Sequence, residues 1–149
     1  MKIAIGSDHA GWAIKEGVIA HVKALGHEVM DVGSYSPDPV DFPDIAKALT
    51  SKVLSGEVSR GIMVCGTGVG ACIAANKVRG IRAAVCHDVH SSHQSVEHDD
   101  VNVMCIGAQI VGPWLANDLV VSFLEAKFDD NEDHRRRVSK LAEMDRHFQ

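Results

Sequence analysis

A cysteine leads a run of alternating glycines, Cys65-Gly66-Thr67-Gly68-Val69-Gly70, between an apolar segment and the start of a helical pattern. Missing side chains let backbone N–H groups approach a ligand, and a helix start adds a field that favours negative charge. Such a nest can hold a phosphate, or it can stabilise an oxyanion that forms only during a reaction. The same glycines also suit a plain strand-to-helix turn that needs positive φ. Cys65 sits where a thiol senses the helix N-terminus, which favours thiolate and predicts a pKa below the usual value of about 8.5. That makes it a candidate base. Thr67 can donate to a ligand oxygen or cap the turn locally.

Other polar groups stand near the ends of apolar runs. Asp8 and His9 close the first run, where a carboxylate and an imidazole can grip hydroxyls or a phosphate; Asp8 can also cap the helix that follows. His98 precedes two aspartates, Asp99 and Asp100, which can hold its proton; the bland alternative is a surface histidine. His87, His90 and His93 invite a metal reading, but 87 and 93 diverge around a helix, and neither HExxH nor a Cys/His zinc spacing is present. No metal is expected. His134 and His147, on a charged segment, are expected in solvent. A dinucleotide site fits poorly: the spacing is G-x-G-x-G, it follows the third apolar run, and no acidic residue ends the next one. No Gly-Lys-Ser/Thr follows, so a P-loop is excluded.

Five apolar runs predict the strands that position these groups: 2–6, 28–32, 61–65, 82–86 and 102–107. Each is apolar on successive residues, as strands covered on both faces are. Helical spacing separates them. Ala13, Val18, Val22 and Leu25 mark a first helix closed by Gly26; Ile45, Leu49 and Val53 mark a second with Pro43 in its first turn. Further helices are predicted over 69–77, 89–97 and 113–127. The alternation predicts one parallel five-stranded sheet in a Rossmann-like α/β/α sandwich with right-handed crossovers, a single domain spanning 1–149. Ligands collect at the carboxyl ends of such strands, and Ser7–Gly11, Cys65–Gly70 and His98-Asp99-Asp100 are expected to cluster there. A last helix, about 132–147, carries Val138, Leu141 and Met144 at helical spacing with no strand to follow, and is expected at a subunit interface.

At 149 residues and a net charge of −5, the chain has no global positive field to draw it onto nucleic acid or anionic lipid. The basic run Arg135-Arg136-Arg137 is a local exception, and on a helix its members point in different directions. No membrane span or secretion signal is legible, and the four cysteines lack a CxxC pair, so a cytoplasmic location is expected.

The segments IAIGSDHAG (3–11), CGTGVGACIAANKVRGIRAA (65–84) and HDDVNVMCIGAQIVG (98–112) resemble the type B ribose-5-phosphate isomerase and galactose-6-phosphate isomerase family, nearly end to end. The resemblance implies an aldose–ketose isomerase acting on a sugar or sugar phosphate without metal or organic cofactor. It implies a homodimer or homotetramer with its active site at the subunit interface. Carried over by position, Cys65 shuttles the proton between C1 and C2, and His98, assisted by Asp8, opens the sugar ring. Thr67 and the backbone of Gly66, Gly68, Val69 and Gly70 surround the enediolate, Asp99 and Gln109 take substrate-binding positions, and His9 and Arg137 approach the phosphate.

The chain departs from that family at four places. Asp99 stands for the usual Asn, Gln109 for Arg, Glu132-Asp133-His134 for Gly-Gly-Arg-His, and Phe42 for a frequent Tyr. Two guanidiniums lost and one acid gained weaken the grip on a phosphate dianion. The departures point to an isomerase with a changed sugar, or to a degraded sugar-binding or structural subunit.

Overall fold

The computed structural model describes residues 1–147, and of His147 the backbone alone, so its expected solvation lies outside the described residues. The chain runs β1 (Lys2–Ser7), α1 (Trp12–Ala24), β2 (Glu28–Asp31), α2 (Phe42–Leu54), β3 (Arg60–Cys65), α3 (Val69–Asn76), β4 (Ala83–Val85), α4 (Val89–Asp99), β5 (Val103–Gly107), α5 (Pro113–Glu125) and α6 (Glu132–His147). All pairings are parallel, in the order β2-β1-β3-β5-β4. The predicted α/β sandwich forms with every element in place. β4 covers 83–85 of its apolar run, and the Cys86 amide just past its end still donates to the Cys105 carbonyl at 3.1 Å.

Residue alternation along the central strands divides the core. Ile3, Ile5, Ile62, Val64, Met104 and Ile106 face α1, α4 and α5, where Val22, Val96, Leu119 and Phe123 meet them. Ala4, Met63, Cys65, Val103 and Cys105 face α2 and α3, where Leu49, Ala71 and Ala75 meet them. The period of two thus puts the Cys65 side chain on the α2–α3 face. Among the described residues no helix is long and apolar enough to cross a membrane.

One cation is enclosed in this core. Lys15 of α1 is wholly buried, with Nζ 2.6 Å from Asp31 Oδ1 and donating to the Ser34 carbonyl at 2.6 Å. Trp12 and Tyr35 lie 5.5 and 5.2 Å from the ammonium, so aromatic faces cover what oxygens do not. The contacts tie α1 to the segment that leaves β2.

α6 docks on α4 through His134 and reaches Gly80 through Asp145, whose carboxylate accepts that amide at 2.9 Å. Leu141 and Met144, the apolar stripe expected at an interface, stay 41% and 55% exposed within one chain.

Candidate active site

Three strand ends build the carboxyl edge. β1 delivers Asp8, whose Oδ1 accepts the Gly11 amide at 2.9 Å just ahead of α1, while Oδ2 accepts the Cys65 thiol at 3.1 Å. Gly11 is required there, because a Cβ would collide with the Val64 carbonyl on which the start of α1 rests. His9 is exposed, and its Nδ1 accepts the Val40 amide at 3.2 Å. With that nitrogen accepting, the neutral ring carries its proton on Nε2, free to meet a ligand.

β3 delivers Cys65, 7% exposed, and the glycine turn. Gly68, at φ 79°, forms the N-terminal boundary of α3 in a conformation suited to glycine. The Phe42 ring lies over Gly70, where a Cβ would come within 2.9 Å of it. Thr67 Oγ1 accepts the Val69 amide at 3.3 Å, the local cap, which leaves its hydroxyl proton free. β5 delivers Gly107, Ala108 and Gln109. The Ala108 and Gln109 amides donate to the carbonyls of Cys65 and Gly66 at 2.8 and 2.9 Å, and the Gln109 side chain lies across Gly66.

The Cys65 thiol does not follow the expected direction. Burial pushes its pKa up, the Asp8 carboxylate raises it further by hydrogen bond and charge, and the Gly66 and Gly68 amides pull back only in part. A helix N-terminus acts on the sulfur as expected, but burial, together with a carboxylate 3.1 Å away, outweighs it.

His98, Asp99 and Arg137 do not join this cluster. Residues that precede a parallel strand lie at its amino edge, and α4 runs back across the sheet before β5 begins. Asp100 just past its end receives two bonds from the Arg82 guanidinium, to its carbonyl at 2.8 Å and to Oδ2 at 2.7 Å. Arg82 itself sits just ahead of β4. Six-residue strands separate the two edges by about 20 Å. The expected clustering of all three segments at one edge is therefore corrected: His98 and Asp99 stand at the opposite pole from Cys65, with Arg137 exposed one turn beyond His134. Nor do the aspartates hold the His98 proton. Asp100 is engaged by Arg82, and the carboxylate near His98 Nε2 is Glu97, at 3.6 Å.

Two histidines take places that spacing along the chain does not reveal. His87 Nε2 accepts the Gly107 amide at 2.9 Å, and burial lowers its pKa, so a neutral imidazole props the strand end beneath the glycine turn. His134, expected in solvent, is 8% exposed and stacked on His98. Among the described residues no group of three or more His, Cys, Asp or Glu side chains is arranged to hold a metal ion. Arg135 and Arg136 are occupied by Asp130 and Asp133 at 2.8 and 2.7 Å, exposed pairs that a ligand can displace at little cost.

The polar cluster pairs an activatable thiol with main-chain donors, the equipment for moving a proton to and from carbon beside a developing oxyanion. Comparison with known proteins points the same way. The family model described as Ribose/Galactose Isomerase matches residues 3–141. The chain is 41% identical over 144 residues to the ribose-5-phosphate isomerase B of Escherichia coli strain K12, covering 97% of this chain and 96% of that one. It is 40% identical to the D-erythrulose-4-phosphate isomerase 2 of Mycolicibacterium smegmatis, over 95% of each. The solved ribose-5-phosphate isomerase B of Clostridium thermocellum superposes with a TM-score of 0.97 at 44% identity, each chain covered completely.

Proposed function

The chain belongs to the ribose/galactose isomerase family and is a sugar-phosphate aldose–ketose isomerase, and on that premise we propose that Cys65 is its proton-transfer base. The single observation that carries the proposal is the Cys65 sulfur, held against Asp8 Oδ2 with the Gly66 and Gly68 amides directed at it. Once ionised, the thiolate removes the proton from C2 of the open-chain aldose. The electron pair forms the C1–C2 enediolate with its charge on O1, the O2 proton passes to O1, and return of the abstracted proton from sulfur to C1 gives the ketose and restores the thiolate. The first-turn amides of α3, around Val69 and Gly70, and the Thr67 hydroxyl face the developing negative oxygen. His9 meets the substrate's anionic end.

His98 opens the ring of cyclic substrates with help from Asp8, and Asp99 and Arg137 complete the binding surface. Because these groups stand at the other pole of the protomer, a second copy must supply them. An isologous homodimer does so twice, setting each Cys65 edge against the partner's α4 and α6, with the Leu141 and Met144 stripe in the contact. The free thiols suit a reducing cytoplasm.

Subunit complementation tests both the base and its sharing between chains. Cys65→Ala and His98→Asn homodimers should each be disabled on a ring-forming sugar phosphate. Refolded together at equal amounts they should recover about a quarter of wild-type activity, since half the dimers are mixed and each mixed dimer has one intact site. No recovery from correctly folded mixed dimers sinks the shared site. Near-normal turnover by Cys65→Ala removes the base.

A second reading, a changed sugar, rests on Gln109 and Asp133. The amide across Gly66 is neutral, and Asp133 is held ionised by Arg136, so fewer cations are available for a phosphate dianion. Solvent-deuterium exchange into pentose, hexose and tetrose phosphates, beside free sugars, ranks the substrates. Clear preference for ribulose 5-phosphate over the rest defeats this reading.

A further inference from the structure

We infer that His134 is a positioning residue for ring opening, acting by holding the His98 imidazole in one plane. The inference rests on the reading of His98 as the ring opener. The two rings stack with centroids 4.2 Å apart and planes 29° from parallel. His98 needs such a support. Its side chain is 38% exposed at the end of a helix, and the carboxylate beside it, Glu97 Oε2 at 3.6 Å, is itself 40% exposed and beyond hydrogen-bonding distance.

His134 is held where His98 is not. Asn131 caps α6 by accepting the His134 amide at 2.9 Å, and its side-chain nitrogen lies 3.0 Å from His134 Nδ1. The same Nδ1 is 3.1 Å from the Asp129 carbonyl and 3.4 Å from Asp129 Oδ2. Asp129 is tied to α4 in turn, its amide donating to the Glu97 carbonyl at 2.8 Å. The 129–134 segment therefore closes a loop of hydrogen bonds back onto the turn that carries His98. A buried ring with fixed contacts is what an exposed ring needs to lose its rotational freedom.

Ring opening demands that freedom be lost. One imidazole nitrogen must meet the ring oxygen or the anomeric hydroxyl, and misplacement by about 1 Å can cost on the order of 100-fold. Proton transfer between carbons, which occurs at Cys65, makes no such demand on His98. Loss of the His134 ring should consequently separate the two steps.

The test compares ribose 5-phosphate, which closes a furanose ring, with a tetrose 4-phosphate, which cannot because its terminal oxygen is esterified. His134→Ala should lose on the order of 10-fold or more in kcat on the pentose phosphate and less than about 3-fold on the tetrose phosphate. His134→Phe, which keeps a flat buried ring but none of its polar contacts, should recover most of that loss. Equal losses on both substrates, no loss on either, or a folded His134→Phe no better than His134→Ala each overturn the inference. Should His134→Ala fail to fold, His134→Phe decides alone: pentose turnover near wild type supports the stack, and a pentose-selective collapse overturns it. His98→Asn measured alongside separates the two levels. A pentose-selective loss there, with none in the His134 variants, leaves His98 as ring opener and removes His134. Absence of that selectivity in His98→Asn, or a wild type inert on the pentose phosphate, overturns both.

Discussion

The Cys65 thiol donates to Asp8 Oδ2 across 3.1 Å, although 57 positions separate the two residues in the chain. The neighbouring carboxylate keeps the sulfur protonated and offers its proton an immediate acceptor. Burial and the Asp8 charge raise the thiol's pKa, so the thiolate that the proposed mechanism uses grows as pH rises. Asp8→Asn removes the charge while keeping the shape. The ascending limb of kcat/KM against pH should then move to lower pH, and iodoacetamide should alkylate Cys65 faster at a fixed pH. A limb that stays put, or moves upward, shows that Asp8 does not control the sulfur.

Cys65→Ala should lower turnover by at least about 10³-fold, the scale of a positioned base, and abolish solvent-deuterium exchange at C1 and C2. Stability should change by only about 1 kcal/mol, because the substitution removes a single sulfur atom and keeps Cβ in place. Parallel melting curves and exchange measurements check both halves. Exchange that persists at wild-type rate means another group takes the proton.

Stability against pH should peak near pH 9. The Cys105 thiol donating to Cys72 brings Cys72 down to about 7, so the folded chain releases a proton that the unfolded chain keeps until its ordinary value of 9.0. From 7 to 9 the unfolded state binds more protons, and stability rises. Burial pushes Cys86 up to about 11, so above 9 the folded state binds more and stability falls. With Cys86 only 1% exposed, the fall amounts to roughly 3 kcal/mol. Urea midpoints across this range should show the rise flattened in Cys72→Ser and the fall reduced in Cys86→Ala. Three superimposable profiles would dismiss the thiols as the cause.

The Lys15–Asp31 pair should be asymmetric. Lys15 is fully enclosed, while the Asp31 side chain is 32% exposed. Asp31→Asn leaves a buried ammonium without its counter-ion, a loss of about 3 kcal/mol or more. Lys15→Met leaves a carboxylate that water can reach and should cost only about 1–2 kcal/mol. Chemical denaturation of both variants checks the order, and a reversed order refutes it. Both should also loosen the 31–40 segment and, through Val40, the His9 imidazole, raising KM more than they lower kcat.

Much of the molecule was legible in one dimension. Apolar runs with no polar alternation, such as 61–65, belong to strands covered on both faces, and helical spacing ending in Gly26 or opened by Pro113 marks helices by local sterics alone. Cys65 and its glycines were visible too, because a turn that must expose main-chain N–H groups removes its own side chains. Local chemistry of this kind needs no partner from elsewhere in the chain.

What required the folded chain were the relations between distant segments. Whether the Cys65 pKa rises or falls depends on a carboxylate delivered by another strand, and no spacing encodes that. His134 looked like a solvated residue on a charged helix until α6 docked it against α4. His98 looked like a neighbour of Cys65 because both flank strands, yet strand direction sends one to the amino edge and the other to the carboxyl edge. Local interactions act over a few residues and are written in order along the chain. Burial, charge proximity and the edge on which a residue emerges depend on which strands pair and how each crossover returns, and these are properties of the assembled sheet.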